Sequence, residues 1–331
     1  MKKKLIELAW DTWCLGSIVG IWPRFIEPKL LKSSSFSVFG GFPDLRVVQF
    51  SDLHLSKRTS DRFLAKLANR INESNADLLL FTGDFICYSS SEELYRLEKF
   101  LGSLRSKLGS FCILGNHDYS QYVSLNELGE MTTEVESGST SLKGLKMLFT
   151  GRPKPIPIYD KPIKRIALHT GLVEVLKKTN FNLLHNHCIQ IGGINLVGLG
   201  DLWAGQCDPE SAFSGYDESL PGIVMSHNPD SLDQLEKYPG TLILSGHTHG
   251  TQVNLPLIRK QFIAQKYATY QRGWIKDQGK TMYINRGVGA VIPFRWFSTP
   301  ELTTFNLRGE NERRSNSSCG GCRNSNGCCG P

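Results

Sequence analysis

The sequence predicts a layered α/β sandwich, and three observations lead there. Apolar runs of strand length recur along the chain, among them Leu45–Phe50, Leu78–Phe81, Phe111–Leu114, Ile223–Met225 and Leu242–Leu244, and their branched or bulky residues suit buried strands. Stretches with helical spacing alternate with these runs, so the strands receive helices on their faces. Each run also stops just before a cluster of Asp, Asn or His, which is where open α/β sheets place ligand chemistry.

At the amino end, Met1-Lys2-Lys3-Lys4 precedes a mostly apolar stretch from Leu5 to Trp22 that carries Trp10, Trp13 and Trp22. Glu7 and Asp11 interrupt it one helical turn apart on one face, and two carboxylates are costly at a bilayer centre. No small-x-small cleavage site follows, which removes the signal-peptide reading. Residues 1–24 are expected to form a helix lying in a membrane interface, with lysines toward anionic headgroups and tryptophans at the boundary. The competing reading is a helix packed on the core.

Further along, Ser60 is placed to cap a helix whose apolar positions Phe63, Leu64, Leu67 and Ile71 keep the 3.6-residue period. Ser90-x-x-Glu93 reads as a capping box before Leu94, Leu97 and Leu101. From about Gln121 to Arg165 Gly, Ser, Thr and Pro accumulate, and Lys143, Lys146, Arg152, Lys154, Lys161, Lys164 and Arg165 make the segment basic. An insertion of that length is expected to be a lid or substrate-binding segment, the alternative being a surface loop. Gly273 to Thr281 imitates a phosphate-binding loop, but five residues separate the glycines where that motif needs four. Met282-Tyr283-Ile284 after it reads as strand, so this stretch is expected to be a turn of a sheet. The tail, residues 309–331, is rich in Gly, Ser and Asn and holds Cys319, Cys322, Cys328 and Cys329. Its apolar content is too low to fold, and its cysteine spacing lacks the second pair of a zinc knuckle.

The clusters carry the chemistry. They are Asp52-x-His54, Gly83-Asp84, Asn116-His117, His227 and Gly246-His247-Thr248-His249. Two divalent ions roughly 3.5–4 Å apart need a bridging anion, and a carboxylate can span both; Asp84 is the natural bridge. Imidazole mixed with carboxylate and amide oxygen favours transition ions over Mg or Ca, so the expected metals are Mn foremost, then Fe, Zn or Co. His169, His185 and His187 stand outside the clusters and are read as structural. The remaining cysteines, Cys14, Cys87, Cys112, Cys188 and Cys207, are scattered and are read as reduced thiols of a cytosolic compartment.

With those residues in view, the five blocks, extended by Gly115 and Asp118, resemble the motif blocks of the calcineurin-like metallophosphoesterases. Ile26-Glu27-Pro28, Ser226-His227-Asn228-Pro229-Asp230, Gln252-Val253-x-Leu255-Pro256 and Arg286-Gly287-Val288-Gly289 resemble that family's bacterial membrane-associated branch. The resemblance implies an αββα sandwich of two mixed sheets flanked by helices over residues 25–308. It implies a first ion held by Asp52, His54, Asp84 and His249, and a second by Asp84, Asn116, His227 and His247. His117, left off the metals, would steady phosphoryl charge or protonate the departing oxygen, with Asp118 orienting it. Whole-chain similarity implies hydrolysis of UDP-2,3-diacylglucosamine, a lipid-linked nucleotide sugar of lipid A synthesis, by a peripheral protein on the cytoplasmic face of a bacterial inner membrane.

Composition agrees and excludes little: 331 residues, 40% apolar and 21% charged, suit a globular domain. The net charge of +7 favours phosphorylated substrates or anionic headgroups. No nucleic-acid-binding signature accompanies it, so nucleic acid is not an expected partner. Two rivals stay open: a general phosphodiesterase or phosphoprotein phosphatase, and a membrane-bound scaffold without turnover.

Overall fold

The computed structural model describes residues 2–125, 130–133, 165–240, 242–255, 257 and 269–309. Two six-stranded mixed sheets face each other with helices on both outer surfaces. Sheet one contains β1 (Lys32–Phe39), β2 (Leu45–Phe50), β3 (Leu78–Thr82), β4 (Gly109–Ile113), β7 (Phe181–Leu183) and β14 (Glu301–Arg308), in the order β1-β14-β2-β3-β4-β7. Sheet two contains β8 (His187–Ile191), β9 (Ile194–Gly198), β10 (Gly222–Met225), β11 (Leu242–Ser245), β12 (Gly273–Asp277) and β13 (Lys280–Ile284), in the order β12-β13-β11-β10-β9-β8. Two short strands, β5 (Ser124–Leu125) and β6 (Met131–Thr132), pair separately.

Alternation along the strands builds the layers. In β3, Leu78 and Leu80 point into the core between the sheets, while Leu79 and Phe81 point at the helices outside. In β10 and β11 the same alternation sends Ile223, Met225, Leu242 and Leu244 inward and Val224 and Ile243 outward. Strands covered on both faces must be apolar throughout, which is why these runs are continuous rather than alternating in the sequence. The outer face of sheet one is covered by α2 (Asp61–Glu73), α3 (Leu94–Gly102) and α4 (Thr170–Lys177), through Leu67, Ile71, Leu97, Leu101, Leu172 and Leu176. Sheet two is covered by α5 (Pro209–Phe213) and α6 (Leu232–Leu235).

Ser60 caps α2, accepting from the Phe63 amide at 3.3 Å. The Ser90/Glu93 capping box does not form. Helix α3 starts at Leu94, Glu93 supplies no side-chain cap, and its carboxylate is captured instead by Arg96 at 2.6 Å. Gly273–Ile284 is a hairpin of sheet two, with Gly273 opposite Ile284, so the phosphate-loop resemblance is accidental. His169 caps α4 through Nδ1, 3.0 Å from the Leu172 amide, and His187 sits on the surface of β8. The five described cysteines are free thiols. The basic residues from Lys143 to Lys164 and the cysteine-rich tail lie outside the described residues.

The amino-terminal helix α1 (Lys2–Gly16) continues into wider helical turns over Ser17–Ile26. Core packing does not occur: Leu5, Trp10 and Trp13 are 70%, 66% and 63% exposed. Among the described residues no helix is long and apolar enough to cross a membrane. The end of this segment touches the body of the protein, the Arg295 amide donating to the Pro23 carbonyl at 2.8 Å.

Candidate metal centre

Parallel register aligns the carboxyl ends of β2, β3 and β4, pairing Phe50 with Phe81 and Thr82 with Ile113. Met225 likewise pairs with Leu244 in β10 and β11. The five ligand-type blocks lie on the loops that leave these ends. Gln49 ties the two sheets at this edge, its buried amide donating to Thr82 Oγ1 at 3.1 Å and to the Ser245 carbonyl at 3.0 Å. Within the first sheet, Asp52 N donates to Gly83 O at 2.9 Å and His54 N to Asp84 O at 3.0 Å.

All seven side chains expected to hold metal converge here. His54 Nε2 lies 2.9 Å from His249 Nε2, and His249 Nε2 lies 3.5 Å from Asp52 Oδ1. Asp84 Oδ2 stands in the middle, 3.3 Å from His54 Nε2 on one side and 3.3 Å from His227 Nε2 on the other. Beyond it, His247 Nδ1 lies 3.3 Å from His227 Nε2 and 3.1 Å from Asn116 Oδ1. Among the described residues three groups of side chains could hold an ion: Asp52, His54 and His249; His54, Asp84 and His117; and Asp84, His227 and His247, so that two of the three share Asp84. This mixed imidazole, carboxylate and amide set fits transition ions.

Backbone strain marks the same place. Asp52, His54, Asp84, His247 and His249 all have positive φ, between 44° and 69°, a region that residues with a Cβ occupy rarely and that clusters at functional sites. Gly83 permits the close approach, because a Cβ there would sit 2.6 Å from His227 Nδ1.

Hydrogen bonds aim the rings. His227 Nδ1 faces the Thr82 carbonyl at 2.7 Å; a carbonyl only accepts, so Nδ1 carries a proton and Nε2 is the nitrogen turned to the site. The Asn116 amide donates to Val123 O at 2.7 Å, which turns its oxygen to the site. His117 Nδ1 accepts from the Tyr88 amide at 3.0 Å, so the neutral ring carries its proton on Nε2. That ring packs between His54 and Tyr122, at centroid distances of 4.5 and 4.3 Å.

Asp118 does not orient His117. Its carboxylate accepts from the amides of Asp84, Phe85, Ile86 and Gly115 at 2.7 to 3.2 Å, stapling the β3 loop to the β4 loop. The Tyr88 amide performs the orienting task instead, and Tyr88 has no signature in the sequence. Arg295 escapes sequence reasoning too, and Glu27 stands in the Ile26-Glu27-Pro28 motif with no role legible from it; both are buried, at 0% and 2% exposure, although their residue types are normally found at the surface.

Electrostatics favour lone pairs over protons at most positions. Burial pushes His54 down to about 3 and His117 down to about 4, with Asp84 only partly opposing. Burial and the neighbouring His54 and Arg295 charges hold His249 well below its ordinary value. Asp84 goes the other way: burial would raise it, but His227, His117 and His54 together keep its carboxyl well below the usual range. His227 is its partner, since burial lowers that imidazole but the Asp84 charge and hydrogen bond carry it up to about 10. Without metal, one proton therefore sits between His227 and Asp84, where a cation would replace it.

Comparison with known proteins follows the same blocks. The calcineurin-like phosphoesterase family pattern matches residues 45–251, from the start of β2 through His249. The chain belongs to the calcineurin-like phosphoesterases. This phosphoesterase is 37% identical over 301 residues to UDP-2,3-diacylglucosamine pyrophosphatase LpxG of Chlamydia muridarum, covering 85% of this chain and 91% of that protein. LpxG of Chlamydia trachomatis serovar D is 37% identical over the same shares. Phosphodiesterase YaeI of Escherichia coli is 27% identical, over 79% of this chain and 82% of its own. The phosphoesterase is thus a metal-type hydrolase whose strands extend past the matched region, since β1 and β14 complete sheet one.

Proposed function

We propose that this phosphoesterase hydrolyses UDP-2,3-diacylglucosamine to UMP and 2,3-diacylglucosamine 1-phosphate in lipid A synthesis, working at the cytoplasmic face of a bacterial inner membrane. The observation that carries the substrate is the near end-to-end similarity to two LpxG pyrophosphatases. The exposed tryptophans and leucines of α1, next to Lys2, Lys3 and Lys4, support an amphiphilic substrate met at a lipid surface. Similarity to the phosphodiesterase YaeI favours a second reading, a general phosphodiesterase. The complete set of converging side chains opposes a scaffold without turnover.

In this reading Asp52, His54, Asp84 and His249 hold the first ion, and Asp84, Asn116, His227 and His247 the second, with manganese first among Mn, Fe, Zn and Co. When bound, the two ions supply an activated water and polarise the phosphoryl oxygens. Asp84 would serve both, since its Oδ2 faces both imidazole sets at 3.3 Å. His117 presents its Nε2 proton to the developing charge, held by Tyr88 from behind. Water adds to the uridine-linked phosphorus, the bridging P–O bond breaks, and the lipid phosphate leaves.

Hydrolysis in oxygen-18 water, followed by mass spectrometry, tests the substrate and the attacked phosphorus together. The label is expected in UMP. Label in the lipid phosphate would reverse the attack, and brisk cleavage of simple diesters without lipid-nucleotide turnover would favour the general phosphodiesterase.

Membrane attachment has its own test. Deleting Lys2–Gly16 removes the exposed helix but keeps Trp22 to Glu27 in place. The shortened chain is expected to stop floating with vesicles containing anionic phospholipid while still cleaving a soluble diester. If the full chain leaves the vesicles in high salt alone, charge rather than apolar insertion holds it there.

A further inference from the structure

Four segments outside the ligand blocks are unexplained by the proposed chemistry: Ile26-Glu27-Pro28, Arg286-Gly287-Val288-Gly289, the buried Arg295, and the docked end of the amino-terminal helix. They meet on one loop. Arg295, fully buried, donates from Nη1 to the His249 carbonyl at 3.1 Å, and its Nη2 lies 3.1 Å from His249 Nδ1. It also donates to the carbonyls of Arg286, Ser298 and Gly289, so the guanidinium is fixed on several sides. Ser298 Oγ adds a second donor to the His249 carbonyl, at 2.7 Å.

That loop is held in turn by Glu27. Its carboxylate, 2% exposed, accepts from the Ser298 amide at 2.7 Å, the Phe297 amide at 3.0 Å, Thr299 Oγ1 at 3.1 Å and Trp22 Nε1 at 3.0 Å. The Arg295 amide donates to the Pro23 carbonyl at 2.8 Å, and Arg24 Nη1 to the Pro293 carbonyl at 3.1 Å. At its other end the loop lies against Asp52: Gly289 N donates to Asp52 O and Val288 N to Ser51 O, each at 2.8 Å. A Cβ on Gly287, whose φ is +72°, would come within 2.6 Å of the Asp52 Cβ. The loop thus supports Asp52 and His249, both at one end of the centre. Asn116 and His227, at the other end, are aimed by Val123 and Thr82.

We propose that Glu27 and Arg295 are positioning residues, a relay from the amino-terminal segment to His249 that fixes the first-ion end of the metal centre. The inference rests on the ligand assignment above, and it makes the turns from Trp22 to Glu27 part of the site's scaffold rather than of the membrane anchor. Side chains that fix a ligand's orientation typically change metal affinity 10–100-fold when lost. The relay predicts that this loss is confined to one ion.

The test uses the full chain reconstituted with Mn, with metal content and affinity measured by elemental analysis and chelator competition on protein whose circular dichroism matches wild type. Arg295→Lys keeps the charge but loses the fork, and is expected to weaken one ion roughly 10–100-fold and leave the other within about twofold. Glu27→Gln should weaken the same ion. In a His249→Ala background Glu27→Gln should have no further effect on the ion that stays. If Arg295→Lys does not fold, Glu27→Gln and Ser298→Ala read the relay in its place. Folded variants that keep both ions, or that lose both equally, overturn it. If His249→Ala itself keeps both ions, the ligand assignment fails and takes the relay with it. If His249→Ala loses one ion while the relay variants lose none, the relay alone is wrong.

Discussion

Asp84→Ala is expected to abolish turnover and to lower metal content more than Asn116→Ala does. The reason is geometric: Asp84 Oδ2 lies 3.3 Å from a nitrogen of each imidazole set, whereas Asn116 reaches only the His247 side. Losing the shared anion removes charge from both ion positions and the constraint on their spacing. Metal-supplied stabilisation of a phosphoryl transition state amounts to several kcal/mol, so the rate should fall about 10³-fold or more. Equal metal content in wild type and Asp84→Ala, by elemental analysis after desalting, would sink the bridging role.

A pH measurement on metal-free protein probes the same contact. Asp84 holds His227 up at about 10, above its ordinary value of 6.5. A raised folded value contributes stability that is fully present below 6.5 and is lost as pH rises through about 10. Denaturation midpoints of the metal-free wild type should therefore decline across that window, and those of Asp84→Ala should decline less. Identical profiles would show that His227 takes its proton from elsewhere.

The sandwich and its ligand blocks are legible in the sequence because they depend on local pattern. Leu78 to Phe81 announces a strand covered on both faces by being apolar throughout, and Asp and His clustered directly after such runs point to metal chemistry at the strand ends. What stays hidden depends on contacts distant in sequence. Arg295 looks like an ordinary surface residue until the loop folds it against His249, 46 positions away. Glu27 accepts from amides 270 and 271 positions on. The Ser90/Glu93 box fails for a related reason: the pattern is right, but Arg96 competes for the carboxylate. Asp118 adjoins His117 in sequence, yet four backbone amides outcompete the ring for its oxygens.

His117→Ala is expected to keep both ions and lose roughly 10²–10⁴ in turnover, the range for a positioned proton donor or acceptor. The proposed ligand assignment leaves its side chain off both ions, and its backbone amide, which donates to Asp84 Oδ1 at 3.0 Å, survives the substitution. The protonation state decides which role the ring plays. Burial pushes His117 down to about 4, so near neutral pH it is a neutral ring with its proton on Nε2, the other nitrogen being occupied by the Tyr88 amide. A neutral donor of that kind steadies charge on a phosphoryl oxygen better than it delivers a proton. The loss should then be nearly the same for substrates with good and poor leaving groups, measured across a series of aryl and alkyl phosphodiesters. A loss that grows steeply as the leaving group becomes more basic would make His117 the general acid, and metal content that collapses along with the rate would make it a ligand.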